Sequence, residues 1–225
     1  MIIETYDSAT ALAHAAADAI EDGLAAGLRE RGRASLVATG GRSPAPIYDL
    51  LQNRLIDWSK VSVTLSDERF VGPHAPESNA RLVRDRLLTA RAAAATFEPL
   101  WSDADDTGAA ALAAEPRIAS LVPFDVVMLG MGEDGHVASL IPGSPVLGAA
   151  MNLNSGRHVI GLPEGVGSPP IARITLTLPA LLTARLTVVT ISGAAKRAVV
   201  EQGGGLPVHV LLERAKAPVR ILWTP

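Results

Sequence analysis

The chain has 225 residues, of which 48% are apolar and 4% are aromatic, and its formal net charge at pH 7 is −3. This composition supports a core of Ala, Leu and Val in a single large α/β domain or two small ones. The net charge gives no electrostatic case for nucleic acid as a partner, and the lack of cysteine excludes disulfides, thiolate nucleophiles and Cys-ligated metals.

The first 24 residues carry five acidic side chains and lack the basic-then-apolar pattern of a secretory signal. No run of about 18 uncharged apolar residues occurs, so no transmembrane helix is expected. We therefore expect a soluble cytoplasmic protein without a membrane partner, present as a monomer or weak homodimer.

Predicted strands and helices alternate along the chain. The first half of the chain has predicted helices from Asp7 or Ser8 to Arg31, from Pro44 to about Leu55 and from Pro76 or Glu77 to Leu88, with strands over 34–39, 61–65 and 97–100 between and after them. A further helix follows 103–107, and Pro116 kinks or restarts it. The second half has predicted strands over 124–129, 158–162, 173–178, 186–191 and 219–223, with a helix carrying Lys196 and a helix over 208–215 before the last strand. This alternation predicts an α/β fold: one domain over 1–225, with a mainly parallel sheet covered by helices on both faces.

The segment over 124–144, FDVVMLGMGEDGHVASLIPGS, is where we expect the reactive group. An apolar run typical of a buried strand ends abruptly in glycines, and Asp134 and His136 follow. In α/β sheets, the carboxyl ends of strands are where ligands bind. A lone histidine is more often structural, but its place beside Asp134 at a strand end makes His136 the candidate base.

The same segment matches the Gly-x-Gly-x-x-Gly pattern of dinucleotide sites, which is weak evidence by itself. That fingerprint expects an acidic residue about twenty positions later. Residues 151–160 contain no Asp or Glu. We therefore predict no nicotinamide cofactor, and indeed no cofactor or metal, since no further His, Asp or Glu pair has a recognisable ligand spacing.

A second glycine turn, at 39–44 (TGGRSP), joins a strand to a helix and forms a candidate phosphate cradle. Gly40 and Gly41 allow backbone N–H groups to approach an anion, and Thr39 and Ser43 offer hydroxyls. An ordinary strand–helix turn explains this pattern equally well in isolation. Polar groups also follow two other strands: Asp67 and Arg69 after 61–65, and Lys196 after 186–191. Arg69 is a candidate phosphate ligand and Asp67 a candidate acceptor for sugar hydroxyls.

Four segments together resemble the 6-phosphogluconolactonases, in the superfamily that also contains glucosamine-6-phosphate deaminase. They are TGGRSP at 39–44, SDERFVGPHAPESNARLVRDRLL at 66–88, LGMGEDGHVASLIPGSP at 129–145 and RITLTLPALLTARLTVVTISGAAKRAVVEQ at 173–202. The resemblance implies a Rossmann-like fold of the phosphosugar-isomerase type. It also implies hydrolysis of 6-phospho-D-glucono-1,5-lactone, a small phosphorylated sugar lactone, in the pentose phosphate pathway.

By position, the resemblance makes His136 the general base. It places Gly40, Gly41, Ser43, Arg69 and Lys196 at the phosphate. Asp134 orients His136 or aims away from it, since the Asp-Gly-His spacing allows both. Arg42 stands where many members have Ser; it adds a phosphate contact or faces solvent. Whether Arg173 contacts the phosphate is left open.

Two alternatives remain at this stage. The deaminases resemble this chain at Asp67 but have Met-Asp-Glu-Tyr there and Ile-Ala-Phe-Asn-Glu-Pro after Gly-His. This chain has Ser-Asp-Glu-Arg at 66–69 and Val-Ala-Ser-Leu-Ile-Pro at 137–142, without the extra carboxylate. The other alternative is a non-catalytic sugar-phosphate sensor.

Overall fold

A computed structural model describes residues 2–41 and 43–225, and strands and helices alternate through most of this part of the chain. The strands are β1 (Ile3–Thr5), β2 (Ala34–Ala38), β3 (Val61–Leu65), β4 (Asp67–Arg69), β5 (Thr96–Phe97), β6 (Val126–Gly130), β7 (Val159–Leu162), β8 (Arg173–Leu176), β9 (Leu186–Ser192) and β10 (Val219–Thr224). The helices are α1 (Ala9–Arg31), α2 (Ala45–Leu51), α3 (Asn79–Arg86), α4 (Thr107–Leu121), α5 (Leu147–Met151), α6 (Leu178–Leu181), α7 (Ala194–Gln202) and α8 (Pro207–Arg214).

Seven strands form one sheet in the order β1-β10-β9-β6-β2-β3-β5, and every neighbouring pair in it is parallel. The predicted α/β class with a mainly parallel sheet is therefore confirmed. A separate three-stranded antiparallel sheet has the order β4-β8-β7. The sequence predicts β7 and β8 as strands but gives no sign that they leave the main sheet to pair with β4.

Helix α1 begins and ends where its sequence predicts. The Ser8 hydroxyl accepts a hydrogen bond from the Ala11 N–H at 3.1 Å, which caps the first turn. Gly32 ends the helix with φ 69°, a left-handed conformation that glycine adopts without a steric penalty. The buried face, which includes Ile20 and Leu24, packs on the main sheet and joins a single hydrophobic core.

Several element ends differ from the predictions for local reasons. Helix α2 stops at Leu51 rather than near Leu55, and α3 begins after Ser78, whose hydroxyl caps it. The strand predicted over 97–100 is Thr96–Phe97 only. Pro116 lies inside one continuous helix, α4. The three-residue β1 is too short to show periodicity and was not predicted.

The small sheet carries a buried carboxylate that joins β4 to the start of α3. Glu68 is 1% exposed and accepts hydrogen bonds from the N–H groups of Asn79 and Ala80, both at 2.7 Å. It also accepts from the Arg69 N–H at 2.8 Å and the Ser78 hydroxyl at 3.1 Å. The N–H groups of Asn79 and Ala80 are otherwise unpaired groups of the α3 N-terminus. Glu68 therefore fixes the position of α3 beside β4.

Burial raises the pKa of Glu68 above its usual 4.5, although its four donors oppose the shift. A raised folded-state pKa means that the native state holds this proton more tightly than the unfolded chain does. The contribution of Glu68 to stability is thus fully present below about pH 4.5 and is lost as the pH rises through the folded-state pKa.

We predict that Glu68→Gln lowers the free energy of unfolding by about 1–3 kcal/mol at acid pH, because it disturbs the donors at the start of α3. The difference from the wild type should narrow as the pH rises, since only the wild type then loses the contribution of Glu68. Urea unfolding of both proteins across a pH series measures this. If the difference in free energy of unfolding between the two proteins stays constant across the pH series, Glu68 does not titrate as described.

Candidate active site

A cleft of about 560 Å³ lies where strands of the main sheet end and β4 and β8 begin their own sheet. Its lining includes Thr39, Gly40, Gly41, Ser43, Asp67, Arg69, Asn79, Gly132, His136, Arg173, Thr190 and Lys196. The structure thus brings together eight of the residues singled out in the sequence, namely Thr39, Gly40, Gly41, Ser43, Asp67, Arg69, His136 and Lys196. Arg42 lies outside the described residues. Asp134 is not part of the lining and reaches the cleft through its contact with His136.

The glycine turn after β2 is supported from beneath by Tyr48. The Tyr48 hydroxyl accepts a hydrogen bond from the Thr39 N–H at 2.8 Å and donates one to the Thr39 carbonyl at 2.6 Å. The ring is fully buried in α2, and burial raises the pKa of this hydroxyl, which keeps it protonated and able to donate. Gly41 has φ 96°, a conformation open to glycine and costly for other residues. Tyr48 and Gly41 therefore fix the shape of this turn, and its role as a phosphate cradle stays a prediction.

His136 is held in a tight turn at the end of β6. Its Nδ1 lies 2.6 Å from Asp134 Oδ1, which also accepts a hydrogen bond from the His136 N–H at 3.2 Å. The structure therefore aims Asp134 at His136, the first of the two arrangements left open by the spacing. A Cβ at Gly132 would overlap the imidazole ring, so only glycine leaves room for it.

The turn is also fixed from outside. Val208 at the start of α8 donates its N–H to the Gly135 carbonyl at 3.0 Å. Leu206 packs against Gly135, which has φ 76°. These contacts connect the C-terminal helix to the histidine turn. The imidazole itself remains about one-third exposed, which allows a ligand to reach it.

When Nδ1 carries the proton and donates to Asp134, the lone pair of Nε2 is free to accept a proton. A carboxylate that fixes the tautomer and orientation of an imidazole in this way is a common partner for a histidine base. The pair has the geometry of a general base and its positioning residue.

Two arginines occupy opposite positions on neighbouring strands, since Arg69 of β4 pairs with Arg173 of β8. Arg69 donates to the Glu77 carbonyl at 2.7 Å and to Asn79 Oδ1 at 2.9 Å. Arg173 is 4% exposed, and burial lowers the pKa of its guanidinium while nearby Asp67 opposes that shift. Among the described residues, the buried Nε of each arginine has no hydrogen-bond partner. The two guanidinium groups give this side of the cleft positive charge, and the Nε–H of each is an unpaired donor among the described residues.

Three further lining residues were missed in the sequence. Asn79 joins Arg69 to Asp67, and its amide also fills the space where a Cβ of Gly40 would lie. Thr190 is 6% exposed, and its hydroxyl has no partner among the described residues. Ser168 comes from the loop before β8. For Thr190, the polar residue near the end of an apolar strand was the available signal.

Within the described residues, no group of three or more His, Cys, Asp or Glu side chains comes together as a metal site. In the same part of the chain, no helix is both long and apolar enough to cross a membrane.

Comparison with known proteins identifies the family. Residues 7–222 match the family described as glucosamine-6-phosphate isomerases/6-phosphogluconolactonase. The chain is 43% identical over 228 residues to the 6-phosphogluconolactonase of Rhizobium meliloti, covering 98% of this chain and 97% of that protein. It is 41% identical over 223 residues to the 6-phosphogluconolactonase of Caulobacter vibrioides, covering 98% and 96% respectively.

A solved structure agrees with these relatives. The crystal structure of a 6-phosphogluconolactonase from Shewanella baltica has a TM-score of 0.90 at 36% identity, covering 100% of this chain and 98% of that one. The resemblance carried by the four sequence segments is thus confirmed at the level of the family and fold.

We predict that Tyr48→Phe lowers the free energy of unfolding by about 1–3 kcal/mol, because it leaves the buried Thr39 N–H and carbonyl without their partner. Tyr6→Phe is a matched control, since its hydroxyl donates only to Glu4 at 2.9 Å in a partly exposed position. The control should change stability by less than about 0.5 kcal/mol. Equal effects in urea unfolding would mean that Tyr48 does not support the turn.

Proposed function

The chain belongs to the glucosamine-6-phosphate isomerase/6-phosphogluconolactonase family, and we propose that it hydrolyses 6-phospho-D-glucono-1,5-lactone to 6-phospho-D-gluconate in the oxidative branch of the pentose phosphate pathway. The observation that carries this proposal is the His136–Asp134 pair, with Nδ1 and Oδ1 2.6 Å apart, in a cleft that Arg69 and Lys196 also line. A base and an anion site in one cleft fit a phosphorylated lactone. Its near full-length relatives named 6-phosphogluconolactonase support the same reaction.

The phosphate end of the substrate binds to the cationic and glycine-rich parts of the cleft. Arg69 and Lys196 provide charge-assisted hydrogen bonds, which are stronger than those between neutral groups. The backbone N–H groups of Gly40 and Gly41 and the Ser43 hydroxyl complete this site, with Thr39 beside them. Asp67, which Asn79 connects to Arg69, accepts hydrogen bonds from sugar hydroxyls.

Hydrolysis begins when His136 Nε2 takes a proton from a water molecule. The resulting hydroxide attacks the lactone carbonyl at C1, and a tetrahedral oxyanion forms. N–H donors of the protein stabilise this negative charge, as oxyanion holes do in acyl transfer; those of Gly132, Gly135 and His136 already donate within the turn after β6. The ring C–O bond then breaks, and the imidazolium returns its proton to the departing ring oxygen. Asp134 stabilises the imidazolium and holds the ring in its orientation.

The proposal includes the setting of the enzyme. We place it in the cytoplasm, as a monomer or weak homodimer with a small phosphorylated sugar lactone as its ligand and without nucleic acid or membrane partners. The net charge of −3 supports the absence of a nucleic-acid partner. The whole chain, 1–225, acts as one catalytic domain in this proposal, and one contiguous core supports it.

We predict that His136→Ala lowers kcat by about 10²- to 10⁴-fold, the usual contribution of a general base. The assay couples freshly generated 6-phosphogluconolactone to 6-phosphogluconate dehydrogenase and subtracts spontaneous lactone opening. His14→Ala, an exposed histidine of α1, is the matched control and should keep full activity.

Two results would contradict the proposed function. The first is a wild type that shows no turnover above spontaneous lactone opening, as His136→Ala also does, while both proteins bind 6-phosphogluconate. That result would favour a sugar-phosphate sensor. Release of ammonia from glucosamine 6-phosphate at a rate comparable to lactone hydrolysis would favour the deaminase reaction.

We predict that Lys196→Gln raises KM by roughly 10- to 100-fold with a smaller change in kcat, because a hydrogen bond to a charged group contributes about 1.5–3 kcal/mol to binding of both ground and transition states. Lys216→Gln removes an exposed lysine elsewhere and serves as the control. A fall in kcat at constant KM would instead place Lys196 at the reacting carbonyl.

A further inference from the structure

The two carboxylate oxygens of Asp67 have unequal surroundings, although the residue is only 6% exposed. Oδ2 accepts a hydrogen bond from the Ser139 hydroxyl at 2.6 Å and lies 3.6 Å from Arg173 Nη1. Among residues 2–41 and 43–225, Oδ1 has two longer contacts, with the Ser66 hydroxyl at 3.2 Å and the Asn79 amide at 3.4 Å. Because an ionised carboxylate oxygen accepts more than these weak bonds, Oδ1 retains capacity for a ligand in the cleft.

Ser139 is itself firmly placed. Its N–H donates to the Thr175 hydroxyl at 3.0 Å, and its hydroxyl accepts from Arg173 Nη1 at 3.3 Å while donating to Asp67. The preceding residue, Ala138, has φ 50°, a left-handed conformation that costs a residue with a Cβ about 1–2 kcal/mol. The backbone between His136 and Ser139 is therefore in an unfavourable conformation. The buried hydrogen bonds of Ser139 offset that cost.

Arg173 completes the group from the other strand of the small sheet. Its Nη2 donates to the Pro169 carbonyl at 3.0 Å, which fixes the guanidinium plane beside Asp67. Like charges on directly opposed strand positions, here Arg69 and Arg173, are unfavourable unless a counter-charge lies close by. Asp67 supplies that charge. A buried ion pair of this kind is favourable only when further hydrogen bonds accompany it, and the Ser139 hydroxyl and the Pro169 carbonyl provide two for Arg173.

We propose that Ser139 and Arg173 are positioning residues that fix Asp67 with Oδ2 engaged inside the protein and Oδ1 presented to a hydroxyl group of the bound sugar phosphate. The proposal rests on the proposed function, in that the ligand is a 6-phosphorylated sugar lactone or its acid. Neither positioning residue touches the reacting carbonyl. Both act on binding through a single carboxylate.

The test is a double-mutant cycle, which isolates the coupling between two residues. Ser139→Ala should raise KM, and the Kd of 6-phosphogluconate, by about 10-fold, with kcat changed by less than about threefold, the split expected when binding is lost. In the Asp67→Asn background, the same change should add less than about twofold, because Ser139 acts through Asp67. Arg173→Met should behave alike, and Ser139→Thr, which keeps the hydroxyl, should restore binding to within about threefold of the wild type.

A matched cluster elsewhere supplies the control. At the other end of β2, the buried Ser35 hydroxyl accepts a hydrogen bond from the Asp125 N–H and donates one to the Asp125 carboxylate. That carboxylate is paired with Arg31. Ser35→Ala should therefore lower the thermal unfolding temperature as Ser139→Ala does, while KM and Kd stay at wild-type values.

Three results would overturn the proposal: additive effects of Ser139→Ala and Asp67→Asn, an equal rise in KM for Ser35→Ala, or no change in Kd for Ser139→Ala. Circular dichroism of each variant confirms that it is folded, and Ser139→Ala alone decides the matter if Arg173→Met does not fold. A wild type that binds 6-phosphogluconate but hydrolyses no lactone would overturn the proposed function only, because the cycle is then measured in Kd.

Discussion

Burial of the central strands decides where this protein can place its chemistry. All five residues of β2 are buried, as are four of the five in β6. A polar side chain inside such a strand needs an internal partner, as Ser35 has in Asp125. Polar side chains that reach the cleft lie instead beyond the strand ends, as Thr39 and His136 do. Because parallel strands end at the same edge of a sheet, these groups share one cleft.

The antiparallel sheet supplies what the parallel one cannot. Successive side chains of a strand point to opposite faces. In β4 this sends Asp67 and Arg69 to the cleft and Glu68 to the first turn of α3. A single three-residue strand thus provides two polar side chains that line the cleft and the anchor of the helix that holds Asn79. Asp67 and Arg69, which the sequence places just after the strand over 61–65, thus belong to a strand of their own.

The features that could be predicted from the sequence are those whose interacting residues lie close together along the chain. Contiguous signals predict the ends of α1, at Asp7 or Ser8 and at Gly32, and the glycine turns after β2 and β6, because their physics is local. The direction of Asp134 and the ligand of the turn at 39–44 do not follow from such signals. The small sheet, Asn79 and the contact of Ser139 with Asp67 depend on pairings across many residues, the last across 72 positions. Periodicity within one segment cannot encode such a partner.

His136 and Ser139 show how one loop can serve two purposes. Two residues separate them, and the left-handed Ala138 turns the chain so that the imidazole faces the cleft while the serine hydroxyl reaches Asp67 inside it. The imidazole and the hydroxyl that contacts Asp67 therefore lie on the same short backbone segment, which Gly132 and α8 hold in place. In a family that includes both isomerases and lactonases of phosphorylated sugars, a change of residue type in this loop alters the surroundings of His136 and of Asp67 at once.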